Sequence, residues 1–182
     1  MKIRDMHDYI KNTKQFQEFI NGSPDAYFGA GFFIIDFQNP NANEEQLDYY
    51  IPSTKKIASF KLSGEFKISE QLVEKPLEEI GMDEVKLSID DIIEIVKAEM
   101  NKKEIAQGIQ KIIAVLQKIN LELLWSISAI LTSSDFAKIR IRDIDASIAK
   151  FEKINLMSLI DLRKKADVMD KKDISTSEKE DK

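Results

Sequence analysis

KIIAVLQKINLELLWSISAILTSSDFAKIRIRDIDASIAKF, residues 111–151, is the stretch that decides the fold. With Ile109 and Gln110 before it, the segment to Ile119 is apolar on both parities, the pattern of a strand covered on two sides. From Leu123 to Thr132, Leu123, Trp125, Ile127, Ala129 and Leu131 fall on one face of a second strand. Ala137 to Arg142 then alternates Ile139 and Ile141 against Lys138, Arg140 and Arg142. Asp143 to Ser147 reads as a turn, and Ile148 to Phe151 extends the sheet. Leu121 to Leu131 is the most apolar run in the chain, yet it is shorter than the roughly 18 residues a membrane span needs and contains Glu122 and two serines. No membrane insertion is expected.

Upstream, Ser88 reads as a helix N-cap with Asp90 and Asp91 in the first turn, where carboxylates meet the positive end of the helix dipole. Ile92, Ile93, Val96 and Met100 give this helix an apolar face, and it ends near Lys103. The order helix, strand, strand, strand is also found earlier. Met6, Tyr9, Ile10, Phe16, Phe19 and Ile20 predict one helix over Asp5 to Asn21, with Gly22 able to take a left-handed cap. Strands follow at Tyr27 to Phe37, Gln46 to Ile51 and Lys55 to Leu62, with a short EFKIS segment after Gly64 as a fourth. Ser69 to Leu87, acidic and interrupted by Pro76 and Gly81, is a crossover. Asn155 would cap a short C-terminal helix, and the charged end from about Asp170 is expected to be disordered.

The residues Ile113–Gln117, Trp125–Ser128 and Ile139–Ala146 resemble a PepSY-type module: a helix, then strands, with a tryptophan opening the second strand and an Asp-Ala turn after the third. The resemblance covers roughly residues 88–151. It implies a cystatin-like fold, a helix across a curved antiparallel sheet, and an interaction or inhibitory role with no catalytic residues to carry over. The glycine that often follows the Asp-Ala turn in that family is absent, Ser147, Ile148 and Ala149 standing there. The expected fold class is therefore α+β, with two helix-plus-antiparallel-meander units at 1–75 and 76–168 and a tail at 169–182. The join between the units is not specified by the pattern, and an exposed strand edge would support a homodimer or strand addition by a partner.

Composition narrows the chemistry. The chain has 182 residues, a hydrophobic fraction of 43% sufficient for a core, and a formal charge of -5, which argues against nucleic acid as partner because that affinity rests on cations meeting phosphates. There is no cysteine, so thiolate catalysis, thiolate metal sites and disulfides are excluded, in keeping with a cytoplasmic protein. The N-terminal segment is threaded with charge and does not read as a secretory signal. His7 is the single histidine, which leaves no multi-histidine site and reads as a helix-surface residue. Gly29-Ala30-Gly31 leads into a strand rather than from a strand into a helix, so it reads as a bulge or a place where the first helix crosses close to the sheet, not a phosphate loop. The pairs Asp90/Asp91, Asp143/Asp145 and Glu78/Glu79 lack the gathered oxygens a hard cation requires, and cap or turn roles explain the aspartates.

No catalytic, cofactor-binding or metal-binding residue is assigned, and no cofactor is expected. The expectation is a non-enzymatic module that binds a protein or peptide through a sheet face or edge; the competing expectation is a ligand-binding protein or enzyme with a pocket between helix and sheet. Candidate contact residues are Lys138, Arg140 and Arg142, a basic ladder that also reads as an ordinary solvated sheet face, and Tyr49 and Tyr50 beside the asparagine-rich loop. If the ladder binds, its match is an acidic protein surface.

Overall fold

The computed structural model describes residues 2–70, 75–133 and 135–155. The expected C-terminal helix and tail lie outside these residues.

The first helical stretch is two helices rather than one, α1 (Ile3–Lys11) and α2 (Lys14–Gly22). Thr13 makes the break. Its hydroxyl donates to the Ile10 carbonyl at 2.7 Å and accepts from the Phe16 amide at 3.2 Å, so one side chain closes α1 and caps α2. Both helices keep the apolar periodicity: Ile3, Met6 and Ile10 are buried in α1, Phe16 and Phe19 in α2.

Four strands follow, β1 (Tyr27–Asp36), β2 (Glu44–Ile51), β3 (Lys56–Lys61) and β4 (Phe66–Glu70). After the crossover comes α3 (Ile89–Lys102), held at its start by a reciprocal pair in which the Asp91 amide donates to Ser88 and the Ser88 amide to the Asp91 carboxylate. Then come β5 (Ile109–Ile119), β6 (Glu122–Leu131), β7 (Phe136–Arg142) and β8 (Ile148–Ile154). β8 runs three residues beyond the Phe151 expected from sequence.

All eight described strands form a single antiparallel sheet in the order β4-β3-β2-β1-β5-β6-β7-β8. Its centre is the pairing of β1 with β5, which sets Phe32 opposite Val115, Phe33 opposite Ala114 and Ile34 opposite Ile113. The protein is thus α+β, with helices joined to one continuous sheet.

Directly opposed residues share a face, so the register divides the sheet. On the inner face lie Phe33, Leu47, Tyr49 and Phe60, then Ala114, Ile127 and Ile139. Phe16 and Phe19 of α2 meet Tyr49 and Phe60 on this face, with ring centroids 5.0–6.3 Å apart. At the other end Lys103, just past α3, lies over the Phe151 ring of β8. Helices α1, α2 and α3 and the inner face share one apolar cluster. Trp125 is fully buried in it, 5.7 Å from Phe33, as its place on the apolar parity of β6 predicts.

The register of β1 shifts between Phe28 and Ala30, so Gly29 sits at a bulge. A Cβ on Gly29 would come within 2.9 Å of the Leu77 side chain. The close approach is made by the crossover, not by the first helix.

Candidate interaction surface

The outer face begins with the same alternation. β1 and β5 offer Phe32, Ile34, Ile113 and Val115 there, all half-buried, as two apolar pairs at the middle of the sheet. β6, next to them, carries the small residues Ser126 and Ser128 opposite Val115 and Ile113. β7 then carries Arg140 and Lys138 opposite those serines, and β8 sets Lys150 opposite Arg140. Successive strands therefore read apolar, small, cationic.

That order makes a trough. Low side chains on β6 lie between an apolar wall on β5 and a basic wall on β7, and the resulting groove has a volume of about 290 Å³. No described helix lies on it, because α1, α2 and α3 all pack on the opposite face.

The cations of the ladder are not equivalent. The Arg142 Nε donates to Glu122 at 2.6 Å, so its charge is answered within the hairpin. Lys150 meets Glu152 at 3.0 Å with most of its side chain in solvent. Lys138 and Arg140 are exposed and have no carboxylate within 4 Å among the described residues; Lys138 lies beside the Phe136 ring at 5.7 Å. These two carry the surplus positive charge.

Much of the other half of the outer face is polar, and its central charges are paired. Lys61 bridges Glu44 at 3.4 Å and Glu65 at 2.9 Å, and Gln46 donates to Asp48 at 2.8 Å. Burial pushes the Asp48 carboxyl above its usual range. Among the described residues, the β5–β7 side joins half-buried apolar side chains to two cations without a carboxylate partner.

The tyrosines are placed differently from the sequence expectation. Tyr49 is 3% exposed, in the inner core between Phe16, Phe28 and Phe60, and Tyr50 is 4% exposed. Tyr50 packs on Tyr27, whose hydroxyl donates to the Leu77 carbonyl at 2.7 Å. Neither presents a surface contact, and both are corrected to packing residues. His7 also departs from expectation: it is mostly covered, lying between Phe28 and Tyr49 with centroids 5.9 and 6.0 Å away, and burial holds its pKa below the usual 6.5.

Asp143, read from sequence as a turn residue, is the most enclosed carboxylate described. At 1% exposure it accepts from the Trp125 indole at 2.8 Å, the Lys86 amide at 2.6 Å and the Leu87 amide at 3.2 Å. It ties β6, the end of β7 and the approach to α3 together. Its carboxylate is fully engaged by structural donors, so it is an organising group rather than a reactive one. Among the described residues no group of three or more His, Asp or Glu side chains could hold a metal ion, and no helix is long and apolar enough to cross a membrane.

The sequence matches no protein-family model, and no curated protein is similar to it in sequence. In fold it is similar to a crystal structure described as a putative lipoprotein from Clostridium difficile 630, with a TM-score of 0.50 and 14% identity over 76% of this chain and 90% of that one. At that identity the likeness concerns the fold alone.

Proposed function

We propose that this protein is a non-catalytic interaction module made of two PepSY-like, cystatin-like units fused through β1 and β5, and that it binds a protein or peptide on the outer face of the shared sheet. The repeated order of a helical segment, α1–α2 and then α3, followed each time by four antiparallel strands supports the two-unit reading. The observation that carries the functional reading is the groove over Ser126 and Ser128, uncovered by any described helix, with Ile113 and Val115 on one side and Lys138 and Arg140 on the other. Half-buried apolar side chains beside unpaired cations are the composition of a contact surface with a hydrophobic centre and a charged rim.

The face is a better candidate than the edges. Of the two edge strands, β8 exposes Lys150, Glu152 and Lys153 and β4 exposes Lys67, and charges on an edge strand oppose pairing with another chain. A photo-crosslinking residue placed at Ser128, compared with one at exposed Ala98 on α3, tests the reading in an extract of the source cells. Discrete polypeptide adducts from position 128 that disappear in an Ile113→Glu background are expected. Adducts from position 98 alone would overturn it.

A further inference from the structure

Resting on that reading, we infer that the occupant of the outer-face groove is an acidic amphipathic helix lying along the strands over β6. Three features of the groove select it.

Direction comes first. The apolar wall runs along β5 through Ile113 and Val115, and the basic wall runs along β7 through Lys138 and Arg140, so both walls are parallel to the strands. β5 and β7 are two strand spacings apart, about 9.6 Å, so a helix about 10–12 Å across rests on top of the trough with one flank on each wall. Ser126 and Ser128 keep the floor between them low enough for a helix to settle.

Backbone chemistry comes second. The ladder hydrogen bonds of a sheet lie in its plane, so an extended chain laid on the face would leave its own N–H and C=O groups without partners. A helix brings its backbone already paired.

Charge sets the register. Same-face residues on β7 are about 6.8 Å apart, and carboxylates at i and i+4 on a helix are separated by about 6 Å along its axis. Two such carboxylates can face Lys138 and Arg140 while the adjoining apolar stripe meets Ile113 and Val115, with Phe32 and Ile34 beyond them. The span from Lys138 to Arg140 is about 6.8 Å, so about five residues of helix, a little over one turn, lie directly over the two cations. A neutral apolar helix would leave the two cations covered and unanswered, and a basic helix would be repelled.

The test uses designed helical peptides titrated into the full chain by calorimetry. One carries leucines on one face with glutamates at i and i+4 on the flank; the second has glutamine for each glutamate; the third keeps the glutamates and has serine for each leucine. The first is expected to bind, with affinity falling as salt rises, and the other two to bind at least about tenfold more weakly. The Lys138→Gln, Arg140→Gln double variant should weaken binding at least about tenfold while keeping one cooperative unfolding transition, since both side chains are exposed and neither change sets a carboxylate opposite Glu152 of β8. Equal binding of the glutamate and glutamine peptides, with both lost in Ile113→Glu, would overturn the acidic assignment and leave the face as an interaction surface. Absence of binding by all three peptides would also overturn this inference, whereas the broader reading stands or falls on the Ser128 crosslink.

Discussion

Replacing Asp143 with alanine removes the acceptor shared by the Trp125 indole at 2.8 Å, the Lys86 amide at 2.6 Å and the Leu87 amide at 3.2 Å. A hydrogen bond to a charged group contributes roughly 1.5–3 kcal/mol, and stranding a buried donor costs about 1–3 kcal/mol. Three bonds would suggest a larger total than is expected here, because alanine also relieves the cost of enclosing a carboxylate that is 1% exposed. The expected net loss is about 3–4 kcal/mol. Urea unfolding followed by far-ultraviolet circular dichroism measures it. A double-mutant cycle with Trp125→Phe isolates the indole bond and should show a coupling of about 1–2 kcal/mol. A loss under about 1 kcal/mol for Asp143→Ala, or additive effects in the cycle, would refute the assignment of this carboxylate as the tie between β6, β7 and the approach to α3.

Three other outcomes are expected. Gly31→Ala should destabilise by about 1–3 kcal/mol in the same assay, since its Cβ would stand 2.8 Å from the Phe33 ring, and Phe33 is enclosed against Trp125. Leu121→Gly should stabilise by about 0.5–1 kcal/mol, because Leu121 holds a φ of 65° at the β5–β6 turn and its side chain is 86% exposed. His7 has a folded pKa below its unfolded value, so the unfolded chain binds the proton more readily; its stabilising contribution is whole above about pH 6.5 and is lost as pH falls through that value toward the lower folded pKa. The difference in unfolding free energy between the natural chain and His7→Phe, measured from pH 7.5 down to pH 5, should therefore show the natural chain losing stability relative to the variant; a flat difference would contradict the burial of His7.

The strands of residues 109–142 were legible because each carries a clean alternation bounded by residues that turn. Ile139 and Ile141 against Lys138, Arg140 and Arg142 is a local pattern, and local patterns survive folding. The split at Thr13 was not legible, since the apolar period continues from Ile10 to Phe16 as if through one helix, and the hydroxyl that interrupts it acts only in three dimensions. Tyr49 and Tyr50 alternate across the strand as expected, but both faces are closed at that end, one by α2 and the other by Tyr27 beside the crossover at Leu77. Asp143 hid its role because its partners lie 18, 56 and 57 residues away. The β1–β5 pairing that makes one sheet had no signal, as β-propensity does not name the neighbour. Within the ladder, alternation placed Lys138, Arg140 and Arg142 together, while the Glu122 partner that quiets Arg142 came from the register of β6 against β7.

Binding on the outer face is tested most directly by amide chemical-shift mapping of the isotope-labelled protein with the glutamate-bearing helical peptide. The largest shifts should fall on Ile113, Val115, Ser126, Ser128, Lys138 and Arg140, with α1, α2 and α3 unmoved. Largest shifts on the helices, or confined to the β4 and β8 edges, would contradict it.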